Sequence, residues 1–328
     1  MVDPFISNQD PRPMSTLHDK TTFVSRTARR EWREVRLDME RNEVKETPLG
    51  PRSRHWRAFK TLIELFGISL RAFGLYERGL RNAMDVRLNR LDLWFEKLPE
   101  EFDGFRLLQL SDLHVDFLPE TLQAAVDLTA GVEADICVLT GDFRRRVKGP
   151  FDDILPAMEK LASRISTSQG TYAVLGNHDS ADMVEPFEAL GIKVLINETH
   201  TILRGGARLH LTGTDDVHYY YTDVARQALA GAPEVFKIAL IHSPELVDAA
   251  AENGFQLYLA GHTHGGQVCL PGGWPIITHA NCHRRFTRGL WRHGDMRGYT
   301  STGVGVSGLP VRFNTRGEVV LITLRSGS

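Results

Sequence analysis

Five apolar runs in this 328-residue sequence are each closely followed by residues that can hold a cation or move a proton. Phe105 to Leu110 leads into Asp112-Leu113-His114, and Ile136 to Thr140 into Gly141-Asp142. Tyr172 to Leu175 leads into Gly176-Asn177-His178-Asp179, and Ile238 to Ile241 into His242. Leu257 to Ala260 leads into Gly261-His262-Thr263-His264-Gly265-Gly266. A carboxylate and an imidazole two residues apart, as in Asp112 and His114, can point at one ion. The two oxygens of Asp142 can bridge two cations, and Gly141 lets backbone come close. Asn177 offers an amide oxygen, and His178 an imidazole able to act as acid or base. Taken singly, each residue has an ordinary explanation, since an Asp at a strand end caps helices and a lone His sits satisfied in core or surface. Together, at the ends of successive strands, they read as a metal site. Imidazole with carboxylate and no thiolate suits Mn, Fe or Zn and argues against a structural zinc site.

The runs themselves are continuous rather than alternating, as in strands buried on both faces, and Glu120 to Ala130 and Phe151 to Arg164 read as intervening helices. The pattern predicts an α/β fold, in which loops beyond the carboxyl ends of the strands form the site. Three regions are expected: a flexible polar extension over 1–54, helical around Arg29 to Arg41; an amphipathic helical segment over 55–85; and a catalytic domain over 86–326. In the second region Trp56, Phe59, Ile63, Phe66, Leu70 and Phe73 recur at three and four, one stripe of a helix that Gly67 and Gly74 weaken by about 1 kcal/mol each.

A formal net charge of −2 and a pI near 6.7 demand no polyanionic partner, and no basic stripe with interleaved aromatics suggests one, so nucleic acid is not expected. Three cysteines without C-x-x-C spacing fit reduced thiols and the cytoplasmic side. No secretory signal is visible, and the apolar-rich stretch from Trp56 to Leu80 is broken by charges, so no membrane span is expected. Arg52 to Arg81 nevertheless carries seven Lys or Arg against two acids. Such a basic amphipathic stretch over 55–81 has two readings: a peripheral contact with the inner membrane, or a helix covering the domain.

The ordered set Asp112-x-His114, Gly141-Asp142, Gly176-Asn177-His178-Asp179, His242 and Gly261-His262-Thr263-His264 resembles the signature of calcineurin-like metallophosphoesterases, over residues 87 to about 325. Leu110 to His114, His262 to Gln267 and Leu309 to Asn314 resemble a bacterial branch that contains phosphodiesterases, some membrane-associated, and a lipid A precursor pyrophosphatase. The resemblance implies a four-layer αββα sandwich of two mixed sheets. It implies two divalent ions (Mn, Fe or Zn), one held by Asp112, His114 and His264, the other by Asn177, His242 and His262, with Asp142 between them. A hydroxide shared by the ions would attack a phosphate ester in line, and His178 would protonate the leaving oxygen. The branch favours a phosphodiesterase; a phosphomonoesterase, a lipid-nucleotide pyrophosphatase and a non-catalytic binding module are the alternatives, the last expected to lack ligands. One departure stands out. Where many relatives carry an Asp that orients the catalytic histidine, this chain has Phe143-Arg144-Arg145-Arg146, which leaves Asp179 and Asp216 as candidate partners of His178. Arg144 and Arg145 are expected either on a substrate phosphate or in a solvated loop. The loops Asp215 to Thr222 and Val268 to Thr278 are expected to line the pocket with a surface suited to a base or an acyl chain, or simply to pack.

Overall fold

Alternate residues along the central strands face two different cores, and this places sheets back to back. The computed structural model describes residues 26–51 and 56–327. Its main strands are β1 (Arg87–Phe95), β2 (Arg106–Leu110), β3 (Ile136–Leu139), β4 (Thr171–Ala173), β5 (Ile192–Val194), β6 (Glu198–Arg204), β7 (Ala207–Gly213), β8 (Phe236–Leu240), β9 (Leu257–Ala260), β10 (Gly289–His293), β11 (Met296–Thr300) and β12 (Glu318–Ser326). The helices are α1 (Arg26–Asn42), α2 (Trp56–Ala72), α3 (Tyr76–Met84), α4 (Pro119–Thr129), α5 (Leu155–Ala162), α6 (Val184–Ala189), α7 (Asp223–Ala230) and α8 (Val247–Glu252). One six-stranded sheet runs β1-β12-β2-β3-β4-β5, the other β6-β7-β8-β9-β11-β10. Both are mixed: β2, β3, β4 and β5 are parallel neighbours while β12 runs against β2, and β7, β8, β9 and β11 are parallel while β6 and β10 are antiparallel edges.

Leu107, Ile136 and Val138 from the first sheet meet Leu211, Ile238, Leu240, Leu257 and Leu259 from the second in the central core. Their neighbours Leu108, Leu110, Cys137 and Leu139 face outward onto Leu122, Val126, Met158, Leu161 and Phe187 of α4, α5 and α6. On the far side Ala239, Ile241, Tyr258 and Ala260 pack on Leu229, Val247 and Ala250 of α7 and α8. The layers are therefore helix, sheet, sheet, helix, the expected αββα sandwich. Each of these side chains is 6% exposed or less, and β2, β3, β8 and β9 each contribute to two apolar layers. The carboxyl ends of β2, β3, β4, β8 and β9 converge on one rim, which carries the chemistry-bearing loops.

The expectation of a flexible extension over 1–54 needs correction over its described part. Residues 26–42 form α1, and Glu46–Thr47 pairs with Gly50–Pro51 in a small hairpin. Helix α1 docks through charges: Arg29 bonds Glu188, Glu198 and the Val194 carbonyl, Arg33 pairs with Asp182, and Arg36 is 1% exposed. The helix expected around Arg29 to Arg41 is thus present, held by ion pairs rather than by an apolar stripe. Residues 1–25 and 52–55 lie outside the described residues. In α2, Gly67 and Leu70 are buried, with Gly67 closely approached by Leu309. Leu62, Leu65, Phe66 and Ile68 point outward, as does Phe73 just beyond the helix. No helix among the described residues is long and apolar enough to cross a membrane.

Candidate functional site

The rim loops are shaped by backbone conformations that most side chains avoid. Asp112, His114, Asp142, His262 and His264 all have positive φ, between 40° and 70°. Each costs roughly 1 to 2 kcal/mol relative to ordinary backbone, and such strain persists only where surroundings over-determine it. Here they do. Asp112 N–H donates to the Gly141 carbonyl (2.9 Å) and His114 N–H to the Asp142 carbonyl (3.1 Å). His178 N–H donates to Asp142 Oδ1 (2.9 Å), and His262 N–H lies 3.0 Å from both oxygens of Asp112. Gly176 and Gly261 leave the room this lacing needs: a Cβ on the first would meet Asp142 and His242, and on the second Ser111 and Asp112.

Two groups of donors result. Asp112, His114 and His264 bring one ligand atom each within 4.8 Å of one another, and so do Asp142, His242 and His262. His114 Nε2 lies 3.2 Å from His264 Nε2, and His264 Nε2 lies 3.6 Å from Asp112 Oδ1. Asn177 joins the second group with Oδ1 3.2 Å from His242 Nε2. Asp142 Oδ2 lies 3.4 Å from His242 Nε2 and 3.8 Å from His114 Nε2, so it faces both groups. Other hydrogen bonds fix the rings: His114 Nδ1 meets the Arg144 carbonyl (2.8 Å) and His242 Nδ1 the Thr140 carbonyl (2.7 Å). That is the arrangement in which a ligating imidazole gives its second nitrogen to a carbonyl. Both ring nitrogens of His262 and Nδ1 of His264 are buried without a hydrogen-bond partner among the described residues. Orphaned nitrogens, opposed lone pairs and a carboxylate facing both groups make a donor set that fits divalent cations.

Burial opposes every charge in this rim. It pushes the imidazoles of His262 and His264 well below their usual range and that of His114 down to about 4, keeping these rings in the neutral form that ligates. It raises Asp112 to about 7, with Asp142 adding to the rise. His242 goes the other way: against burial, Asp142, Asp112 and Asp216 hold its proton well above the ordinary value, while Asp142 itself is held well below. Positive charge is therefore stabilised between Asp142 and His242.

His178 stands beside both groups, its Nε2 3.9 Å from Asp142 Oδ2 and its side chain 17% exposed. Its orienting partner is neither candidate named from sequence. Nδ1 sits against the backbone carbonyl of Arg145. Asp179 is committed elsewhere, accepting from the backbone N–H groups of Asp142 (2.8 Å), Phe143 (2.9 Å) and Gly176 (2.7 Å). Asp216, raised to about 6 by burial, accepts from the N–H groups of His218 and Tyr219. The expectation that Arg144 meets a substrate phosphate is also corrected. Its guanidinium is buried and donates to the carbonyls of His178 (2.8 Å), Gly149 (2.6 Å) and Val147 (3.1 Å), bracing the loop from within. Arg145 is exposed, its guanidinium 3.8 Å above the Phe117 ring. Tyr219 and Tyr220 are buried and pack with Met39 beneath α1, Arg36 lying 3.5 Å over the Tyr220 ring. Leu270, Trp274, Ile276 and Ile277 of the second expected loop are exposed.

Three groups near the rim escaped the sequence reading. His218, paired to Glu245 at 2.8 Å, packs its ring 3.9 Å from that of His262. Ser111 Oγ donates to Asp112 Oδ2 (2.6 Å). The buried Arg312 gathers the carbonyls of Thr302 (2.7 Å), Gly305 (2.6 Å) and His264 (3.2 Å). All three lay in stretches already singled out, Ser111 in Leu110 to His114, His218 in Asp215 to Thr222 and Arg312 in Leu309 to Asn314, but no role had been read for them.

The fold and this donor set define a metal-binding α/β sandwich. The profile of the calcineurin-like phosphoesterase family matches residues 105–266. The chain is 29% identical over 242 residues to the metallophosphoesterase YkuE of Bacillus subtilis (strain 168), covering 70% of this chain and 82% of the relative. It is 29% identical over 257 residues to YkoQ of the same organism, covering 73% and 90%. With the phosphodiesterase YaeI of Escherichia coli (strain K12) it shares 30% identity over 232 residues, covering 67% and 82%. The chain belongs to the calcineurin-like phosphoesterase family and is a metal-binding hydrolase of phosphoric esters.

Proposed function

We propose that this enzyme is a phosphodiesterase working with two divalent ions, one held by Asp112, His114 and His264, the other by Asn177, His242 and His262, with Asp142 shared. The observation that carries the reading is that Asp142 Oδ2 faces both donor groups while His178 stands alongside. When bound, such ions supply Lewis-acid charge to the phosphoryl oxygens and lower the pKa of a coordinated water. The protein's own part is positional and protonic. The Arg145 carbonyl fixes Nδ1 of His178, which leaves Nε2 as the atom facing the site. From there it gives a proton to the departing oxygen as the phosphorus–oxygen bond breaks. The exposed Arg145 lies close enough in sequence and space to attract an anionic substrate to the His178 side of the rim. A diester is preferred over a monoester because of the likeness to YaeI. Purified protein with Mn²⁺ should hydrolyse bis(p-nitrophenyl) phosphate faster than p-nitrophenyl phosphate, with cyclic nucleotides and a lipid-linked nucleotide diphosphate completing the panel. Ions retained without turnover on any of these would overturn the catalytic reading in favour of a binding module.

The outward face of α2 favours a second feature, a peripheral membrane contact that presents lipid-borne phosphate esters to the site. Gly67 packs inward on Leu309 and Ile63 lies near Gly308, whereas Leu62, Leu65, Phe66 and Phe73 stay exposed beside the exposed Arg71, Arg78 and Arg81. Apolar side chains flanked by cations suit an anionic interface, each cation adding about 1 kcal/mol. The full chain should sediment with anionic vesicles at low salt, and Leu65→Asp/Phe66→Asp should not. Equal, negligible sedimentation of both would leave α2 a covering helix.

A further inference from the structure

Helix α1 lies outside the residues that the family profile matches, yet its inner face reaches the loop that follows β4. The contacts are directional. Arg36 Nη2 donates to the main-chain carbonyl of Asp179 (2.8 Å), Nη1 pairs with Asp215 Oδ1, and Nε meets Glu40 Oε1 (3.1 Å). Glu40 in turn accepts from Ser180 Oγ (2.7 Å) and Ala181 N–H (2.9 Å). Trp32 Nε1 donates to the other oxygen of Asp215 (2.7 Å). A guanidinium suits this place because one planar group can donate to a carboxylate and a carbonyl on different chain segments at once. The residue it grips has its own carboxylate tied to the N–H groups of Asp142, Phe143 and Gly176, so the Asp179 peptide is held from two sides.

We propose that Arg36 is a positioning residue for the reaction: through the Asp179 carbonyl it fixes the Gly176 to Asp179 loop, and with it Asn177 and His178. The inference rests on the roles proposed above for those two side chains. It extends the working site beyond the catalytic sandwich to a helix whose sequence looks like a solvated extension. Loss of the grip leaves the Asp179 peptide held from one side only, which loosens the positions of both the amide oxygen and the imidazole without removing any ligand.

The test uses the full chain in three variants, with amide hydrogen exchange over residues 174–182 and steady-state kinetics as readouts. Arg36→Ala should exchange faster over that loop and lose about 10- to 100-fold in kcat, the range typical of groups that orient metal ligands. Guanidinium ion at non-denaturing concentration should restore part of both. Arg29→Ala, which removes the pairs to Glu188 and Glu198 further along the same helix, should change neither. Arg36→Lys keeps a charge for Asp215 but cannot span to the Asp179 carbonyl, and it should fall between wild type and Arg36→Ala. It is the variant to read if Arg36→Ala does not fold. Wild-type exchange over 174–182 in the folded Arg36 variant would overturn the proposal, as would an equal rise in Arg29→Ala, which would make α1 a mere cover. Should the wild type hydrolyse no phosphate ester, the exchange readout still decides the positioning role, and the failure belongs to the functional reading alone.

Discussion

Replacing Gly176 with alanine adds one methyl group where the lacing of the rim is tightest. The added Cβ would lie 2.5 Å from the Asp142 backbone nitrogen and 2.8 Å from His242 Cε1, and closer still to Asp142 Oδ1. Ordinary carbon contacts begin near 3.4 Å, so something has to move by about 1 Å. Gly176 does not occupy the left-handed region, so the penalty is steric rather than conformational. The Asp142 peptide cannot give way cheaply, because its N–H is held by Asp179 and its carbonyl by His114 N–H. The Asp142 carboxylate and the His242 ring are then displaced. A shift of that size at reacting groups costs about 10²-fold in rate, and overpacking of this kind costs about 1 to 3 kcal/mol in stability. The assay is kcat at saturating Mn²⁺ together with metal content by elemental analysis and a denaturant melt. A Gly176→Ala protein with wild-type kcat and full metal content would refute the claim that this glycine sets the position of the shared carboxylate.

His178→Asn should keep its ions and slow hydrolysis of substrates with poor leaving groups by about 10² to 10⁴; an equal loss on p-nitrophenyl esters would sink the acid role. Asp142→Asn should lose metal and turnover together, and elemental analysis showing both ions with a normal rate would exclude it as the shared ligand. In metal-free protein His114 is held neutral down to about 4 by burial, against 6.5 for an ordinary imidazole. The unfolded chain therefore binds the extra proton first as pH falls, and the neutral ring's contribution is present above 6.5 and lost toward 4. Compared with His114→Gln, the wild type should lose about 2 kcal/mol of its relative stability between pH 7 and pH 5. A pH-independent difference in denaturant melts would contradict that burial.

The sandwich was legible because strands such as Ile136–Leu139 and Leu257–Ala260 are apolar on both faces, and because the rim residues directly follow them. Less visible was whatever depends on backbone geometry. Nothing in the letters Asp112, His114 or Asp142 announces a positive φ, and the partner of His178 is a main-chain carbonyl, a group that every residue carries. The burial of Arg144 was hidden for the same reason, since its acceptors are carbonyls. Helix α1 misled by its composition. A helix whose inner face is Arg29, Trp32, Arg33, Arg36 and Glu40 shows little apolar periodicity, yet ion pairs with Glu188, Asp182 and Asp215 hold it to the sandwich. In α2, by contrast, the stripe through Ile63 and Leu70 was readable, while the exposure of Leu62, Leu65 and Phe66 was not.

Strand β12 follows every other described strand in sequence and lies between β1 and β2, two strands made well before it. As the polypeptide leaves the ribosome, β1 has no partner in its sheet until Glu318–Ser326 arrives. Until then one edge of β2 and the apolar faces that Val320, Ile322 and Leu324 will cover stay open, a state prone to unwanted pairing. Glu318 also receives the Thr302 N–H and the Tyr299 hydroxyl, so the loop after β11 is fastened by the same late arrival. The nascent chain thus carries all of the proposed cation-binding side chains before it owns the strand that closes their scaffold. Shortening the chain at Glu318 would therefore leave an open sheet rather than a smaller enzyme.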